Sequence, residues 1–293
     1  MDKKKFYHLL SIDLESWVSS INITKDNLNI QELRKLDNGY IPMALSYLLN
    51  KLRHYNQKIT FFVVFNLEEL YPGLIEKILK EGHEVGWHGH THAFITSKAI
   101  LEKELNLSQK YLKKYNIIGY QAPQVQFIKE GYLLLKKFGF KYSSSLYGDS
   151  NQAYNVNDIY EIPVSVSNNK YKPNINQLCF PSKLSFFNIL KFGIPFGSSY
   201  FWSILGEKYY DGKLKEAERD NCVTAMFIHN GQLTKAVSMD KKYVPDWEIP
   251  FFKNPLFYPY TRNVSHMFEN LLSKYQFSRY KDYLKKYILE SAL

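Results

Sequence analysis

Short runs of β-branched and aromatic residues recur along this chain between longer amphipathic stretches, the pattern expected of repeated β-α units around a parallel sheet or barrel. The strand-like runs are residues 6–13, 59–64, 84–88, 118–121, 141–144, 159–164 and 223–229. Between them, residues 43–55, 71–81, 97–115 and 129–138 carry apolar side chains at three- and four-residue spacing, as helices on the outside of a barrel would. Gly82 and Gly139 are read as C-caps of two of these helices. Seven strands predict an incomplete, distorted α/β barrel of the (β/α)7 type, and 293 residues hold it as a single domain, 1–293.

The remaining segments are read as additions to that barrel. Residues 167–176 are polar and contain Pro173, the signature of a loop, and residues 184–205 form an aromatic-rich insertion. Two helical patterns, 263–275 and 278–289, end the chain. Lys191, Gly193, Pro195 and Gly197 interrupt the most apolar stretch, so no membrane span is predicted. The apolar run after Met1-Asp2-Lys3-Lys4-Lys5 soon reaches Asp13 and Glu15, which argues for a first strand over a signal peptide and leads to a cytoplasmic expectation. Cys179 and Cys222 have no paired spacing and suggest neither a disulfide framework nor a thiolate metal site. A net charge of +10 admits an anionic partner, but the lysines are scattered. No basic helix, zinc-finger spacing or ribonucleoprotein motif points to nucleic acid.

In barrels of this kind reactive groups gather at the C-terminal strand ends, and Asp13, His88, Gln121 and His229 end four of the predicted strands. The run His88-Gly89-His90-Thr91-His92 offers imidazoles four residues apart. One helical turn, which Gly86 and Gly89 favour, would bring His88 and His92 to the same side with His90 pointing away, whereas an extended segment would place all three on one face. Two imidazoles call for a carboxylate to complete a metal site with an open position for water, and Asp13-Leu14-Glu15 supplies two acids.

These segments resemble the polysaccharide deacetylase family, the NodB-homology carbohydrate esterases, over residues 6–230. Ser11-Ile12-Asp13-Leu14-Glu15-Ser16-Trp17 is similar to its first motif, Thr60-Phe61-Phe62-Val63 to its second strand, and Gly82-His83-Glu84-Val85-Gly86-Trp87-His88-Gly89-His90-Thr91-His92 to its histidine motif. Gly119-Tyr120-Gln121-Ala122-Pro123-Gln124 resembles the third motif and Met226-Phe227-Ile228-His229-Asn230 the last. Residues 194–202, Ile-Pro-Phe-Gly-Ser-Ser-Tyr-Phe-Trp, resemble a Gly-rich, Tyr-bearing segment of one branch.

The resemblance implies a barrel of the NodB-homology kind and a metal-dependent hydrolase that removes an N-acetyl or similar N-acyl group from a sugar of a surface polysaccharide or its precursor. It implies Asp13 as base, His229 as acid, the Gln124 amide as oxyanion donor and Glu15, His88 and His92 as ligands of a divalent metal, zinc first, with cobalt or nickel as alternatives. Trp17, Tyr120, Tyr200, Phe201 and Trp202 are candidate sugar-stacking walls. The sequence departs from the family pattern at three positions. Gln121 replaces an Arg that would hold Asp13 ionised, Ser16 replaces a second acid, and residues 142–147 lack the Asp that would orient His229, which leaves Asp149 and Asp246 as candidates for that task. These departures keep two alternatives open, a non-catalytic sugar-binding barrel and a hydrolase of small non-peptide amides. The basic, amphipathic segment 278–287 adds a candidate peripheral membrane contact, set against simple packing on the barrel.

Overall fold

The computed structural model describes residues 7–19, 27–151, 153–167, 193–236 and 262–291, together with positions 191, 242, 243, 252 and 259. The strands are β1 (Tyr7–Leu14), β2 (Thr60–Val63), β3 (Glu84–Trp87), β4 (Gly119–Tyr120), β5 (Tyr142–Ser143), β6 (Tyr147–Gly148), β7 (Tyr154–Val156), β8 (Ile159–Glu161), β9 (Val164–Ser165), β10 (Val223–His229) and β11 (Phe277–Ser278). One sheet runs β10-β1-β2-β3-β4-β5-β8-β7, with β11 also on β1, and β6 pairs with β9 separately. Among the described residues, only β7 runs antiparallel to its neighbour. The sheet curls into a half-barrel, so the expected distorted, incomplete α/β barrel holds. The expected strand 159–164 is split in two: Pro163 has no amide for a ladder, and the chain leaves β8 there to join β6 as β9.

The helices are α1 (Ile30–Asp37), α2 (Tyr40–His54), α3 (Asn66–Leu70), α4 (Leu74–Lys80), α5 (Lys98–Lys114), α6 (Gly131–Lys137), α7 (Ser199–Leu205), α8 (Glu207–Asp220), α9 (Asn230–Leu233), α10 (Ser265–Lys274) and α11 (Tyr280–Ser291). Gly82 and Gly139 follow α4 and α6 at φ +81° and +89°, the left-handed turn that glycine adopts without strain.

Strand alternation sorts β1 into two faces. Leu10, Ile12 and Leu14 join the main core with α2 residues such as Leu45, Leu48 and Leu52, whereas Leu9 belongs to a smaller cluster with Phe62, Tyr142, Ala225 and Tyr280. Asp13 therefore shares the face of Leu9 and Ser11, at the C-terminal end of the strand. Helix α11 seals the opposite end. Its first amides donate to Thr60 Oγ1 at 3.1 Å and to Glu84 Oε2 at 3.0 Å, and the Tyr280 ring stacks on Tyr142. Tyr280, Tyr283 and Leu284 of this segment are buried against the barrel, which favours simple packing over the candidate membrane contact.

The part of the expected insertion that is described, residue 191 and residues 193–205, is built into the barrel. Gly197 donates to Ser165 O at 2.9 Å and accepts from Phe227 N at 2.8 Å, bridging β9 to β10 where the sheet would otherwise gape. A Cβ at Gly197 would lie 2.3 Å from Ala225 O, so only glycine allows that approach. Residues 184–190 and 192, most of the expected 167–176 loop, Cys179 and Asp246 lie outside the described residues.

Candidate active site

Asp13 ends up beside His229 because β1 and β10 pair in parallel with these two residues in register. Asp13 Oδ2 lies 3.8 Å from His229 Nε2 and 3.9 Å from His88 Nε2. Glu15, one residue past β1, turns back into the same cleft, with Oε2 2.9 Å from His92 Nε2 and Oε1 3.5 Å from His229 Nε2. Its position is held by Asn230 Oδ1, which accepts the Glu15 amide at 3.0 Å. Ser16 turns the other way and donates to Asp37.

The histidine segment forms neither the helical turn nor the extended face that the sequence left open. It is an irregular bend, with Gly89 at φ +85° and His92 at φ +62°, and that bend brings the His88 and His92 rings to 5.1 Å between centroids. His90 points away, its Nδ1 3.2 Å from Ser108 Oγ. Buried Glu104 on α5 clamps the bend, accepting the amides of His90 and Thr91 at 2.7 and 2.8 Å and the Thr91 hydroxyl at 2.7 Å.

One donor atom each from Glu15, His88 and His92 falls within 4.8 Å of the others. Two further observations fit this set to a divalent cation. His88 Nδ1 lies 2.9 Å from Gln121 O, a bond that commits its proton to the carbonyl and leaves the Nε2 lone pair facing the cleft. Glu15 Oε2 is buried and meets no donor at hydrogen-bonding geometry, although His92 Nε2 is close.

The electrostatics follow from enclosure. Burial, reinforced by the neighbouring His92, pushes His88 down to about 3, so its ring is neutral and free to ligate. Burial opposes protonation of His92 too, but the Glu15 carboxylate overrides it and raises the ring above its ordinary value. Burial first, and then the charge of Glu15, hold Asp13 well above the usual carboxylate range. Gln121 works against that shift: with its amide nitrogen turned toward the carboxylate, it donates to Asp13 Oδ1 at 2.6 Å and Oδ2 at 3.1 Å.

Residues 35–143 match the family model for polysaccharide deacetylase. Over that stretch the chain is similar to the polysaccharide deacetylase family. It is 34% identical over 92 residues to the peptidoglycan-N-acetylmuramic acid deacetylase of Bacillus subtilis, a match covering 31% of this chain and 19% of the relative. It is 33% identical over 81 residues to a peptidoglycan-N-acetylglucosamine deacetylase of Bacillus cereus, covering 27% and 38%. The matched region thus spans well under half of either relative. Among solved structures, the probable polysaccharide deacetylase of Pseudomonas aeruginosa PAO1 shares the fold, with a TM-score of 0.58 and 12% identity over 96% of this chain and 90% of that one.

Several residues sit elsewhere than the resemblance implied. Tyr120 and Trp202 are fully enclosed: Tyr120 packs on Trp87 and Phe127, and Trp202 on Tyr210 and Phe268. Neither presents a face to a sugar. Trp17 and Phe201 are also buried, which leaves Tyr200, half-buried at the start of α7, as the accessible member of the expected wall. Phe94, overlooked in the sequence, is half-buried and stands edge-on to His92 at 6.3 Å. Gln124 is exposed in a 3-10 turn after β4, at φ +59°. Asp149 lies by Cys222, at the far end of β10 from His229. Facing His229 Nδ1 at 2.8 Å is instead the hydroxyl of Ser199.

Three positioning residues carried little signal in the sequence. Glu104 had one: it shares a buried helical stripe with Leu101, Leu105, Ser108 and Leu112, where an acid needs a partner. Asn230 had only its place beside His229, and Ser199 is one serine of a pair.

Proposed function

We propose that this chain is a metal-dependent N-deacetylase acting on an N-acetylated sugar of a polysaccharide such as peptidoglycan, or of its precursor. The observation that carries this reading is the convergence of Asp13, Glu15, His88, His92 and His229 on one cleft at the C-terminal ends of β1, β3 and β10. The polysaccharide part of the reading comes from the family and from the names of the matched relatives.

Glu15, His88 and His92 would hold the cation, with zinc the first choice for two imidazoles and a carboxylate. When bound, it would polarise the acyl carbonyl and lower the proton affinity of a water in the cleft. Asp13 accepts the proton of the attacking water; its enclosure makes it a stronger base than an exposed carboxylate once ionised, and the Gln121 amide favours that ionised form. His229 holds a proton at Nε2 and delivers it to the departing amine. The Gln124 N–H is the protein donor for the developing oxyanion. Phe94, edge-on to His92, and half-buried Tyr200, next in the chain to Ser199, are candidate contacts for a pyranose ring.

The test is acetate release from N-acetylglucosamine oligomers and peptidoglycan fragments, with metal content measured on the same preparations. Asp13→Asn and His229→Ala should each lower kcat by about 10² to 10⁴. A chelator should abolish turnover, and added zinc restore it. Acetate release that is indifferent to both substitutions and to the chelator would sink the reading, as would hydrolysis confined to small non-sugar amides.

A further inference from the structure

We propose that Ser199 is the residue that positions His229, the task for which a carboxylate was sought in residues 142–147. The proposal rests on His229 being the proton donor of the reaction above. Three observations carry it. The Ser199 hydroxyl lies 2.8 Å from His229 Nδ1, and its side chain is fully buried. Ser199 is also rigidly placed: it opens α7 behind the Ser198 cap, its carbonyl accepts Gln232 Nε2 at 3.0 Å, and Gly197 is stitched to β9 and β10 two residues earlier. Finally, two of the three serines in the stretch where the carboxylate was expected, Ser143 and Ser145, are committed elsewhere. Ser145 Oγ accepts the Ala122 amide at 2.9 Å, and Ser143 Oγ donates to Ser145 Oγ at 2.8 Å.

A hydroxyl at Nδ1 steadies the ring without adding a third negative charge to a cleft that already holds Asp13 and Glu15. It accepts from Nδ1–H when the ring is charged, and goes on accepting after Nε2, the nitrogen facing Asp13 and Glu15, has given its proton to the departing amine. The neutral ring therefore keeps its proton on Nδ1, and its plane is fixed through the proton-transfer cycle. Gln121 is the counterpart at Asp13, a neutral amide steadying the other proton-transfer group.

The deciding experiment compares wild type with Ser199→Ala and Ser199→Thr, using His229→Ala as a control. At fixed pH, long-range 1H–15N spectra of the His229 ring should show one tautomer in wild type and an averaged pair in Ser199→Ala. Turnover of Ser199→Ala should fall by about 10²-fold or less in kcat, as expected for a misaligned reacting group, with KM and bound metal unchanged. Ser199→Thr, which keeps the hydroxyl, should recover both signatures. Unchanged imidazole shifts in a folded Ser199→Ala protein would overturn the proposal, whatever the activity. If Ser199→Ala is fully active while His229→Ala is dead, positioning by Ser199 fails and the acid role of His229 survives. If His229→Ala is itself fully active, the acid role fails, and the proposal with it.

Discussion

Gln121 acts through two of its own groups. Its carbonyl accepts from His88 and its side-chain amide donates to Asp13, so one residue just past β4 touches both the proposed ligand set and the proposed base. Gln121→Leu should separate these functions. The carbonyl stays, so metal affinity is retained, but Asp13 loses the donors that favour its ionised form. A base whose proton affinity is already raised by burial and Glu15 then stays protonated to higher pH. The acidic limb of kcat/KM should accordingly move upward, with activity at neutral pH reduced and partly regained in alkali. A limb that stays put or moves down would contradict this role. At this scale the sequence was legible where chemistry dictates residue type: Asp13, Glu15, His88, His92 and His229 all line the cleft. It was opaque where burial decides, because an aromatic such as Tyr120 looks the same in a string of letters whether it lines a groove or fills a core.

At the scale of elements, the histidine bend and helix α11 each depend on one buried carboxylate. Glu104→Gln replaces the acceptor that holds the amides of His90 and Thr91 by an amide with half its capacity to accept. Metal affinity, measured by competition with a chromophoric chelator, should drop about 10- to 100-fold, as for other supporting groups of metal ligands. Glu84 seats α11, and burial pushes its pKa above the ordinary value, with its hydrogen bonds opposing. In a folded state whose carboxyl pKa exceeds the unfolded one, the native protein binds the proton more tightly, so its contribution to stability is full at acid pH and is lost as pH rises through the folded pKa. Glu84→Gln carries no such loss. Its Tm relative to wild type should therefore improve as pH goes from 4 to 7, and a constant difference would refute the linkage. Helices α2, α4, α5, α6, α10 and α11 were legible from apolar periodicity, but α1, α3, α7, α8 and α9 were not. Helix α8 is strongly charged and buries only Tyr210, Leu214 and Ala217, too sparse a stripe to read.

For the whole molecule, the half-barrel stands on the contact between β9 and β10 that Gly197 makes possible. Gly197→Ala drives a methyl group into the Ala225 carbonyl and should destabilise the protein by about 1–3 kcal/mol, as overpacking does, read from the midpoint of urea unfolding at unchanged slope. A stability equal to wild type would mean that the seam is looser than described. The sequence announced seven strand segments and a parallel arrangement but not this closure, since nothing in a single glycine among 14 marks it as the one that meets a backbone across a gap.

The register between β1 and β10 has a consequence for how this molecule can fail. Asp13 and His229 are partners across one rung of that ladder, and side chains alternate from face to face along a strand. A slip by a single residue would turn the acid into the outer wall while leaving an equally apolar sheet behind. Such a misthreaded barrel could collapse, resist proteases and still be inert, so for this chain compactness is poor evidence of correct assembly and turnover is the stricter gauge.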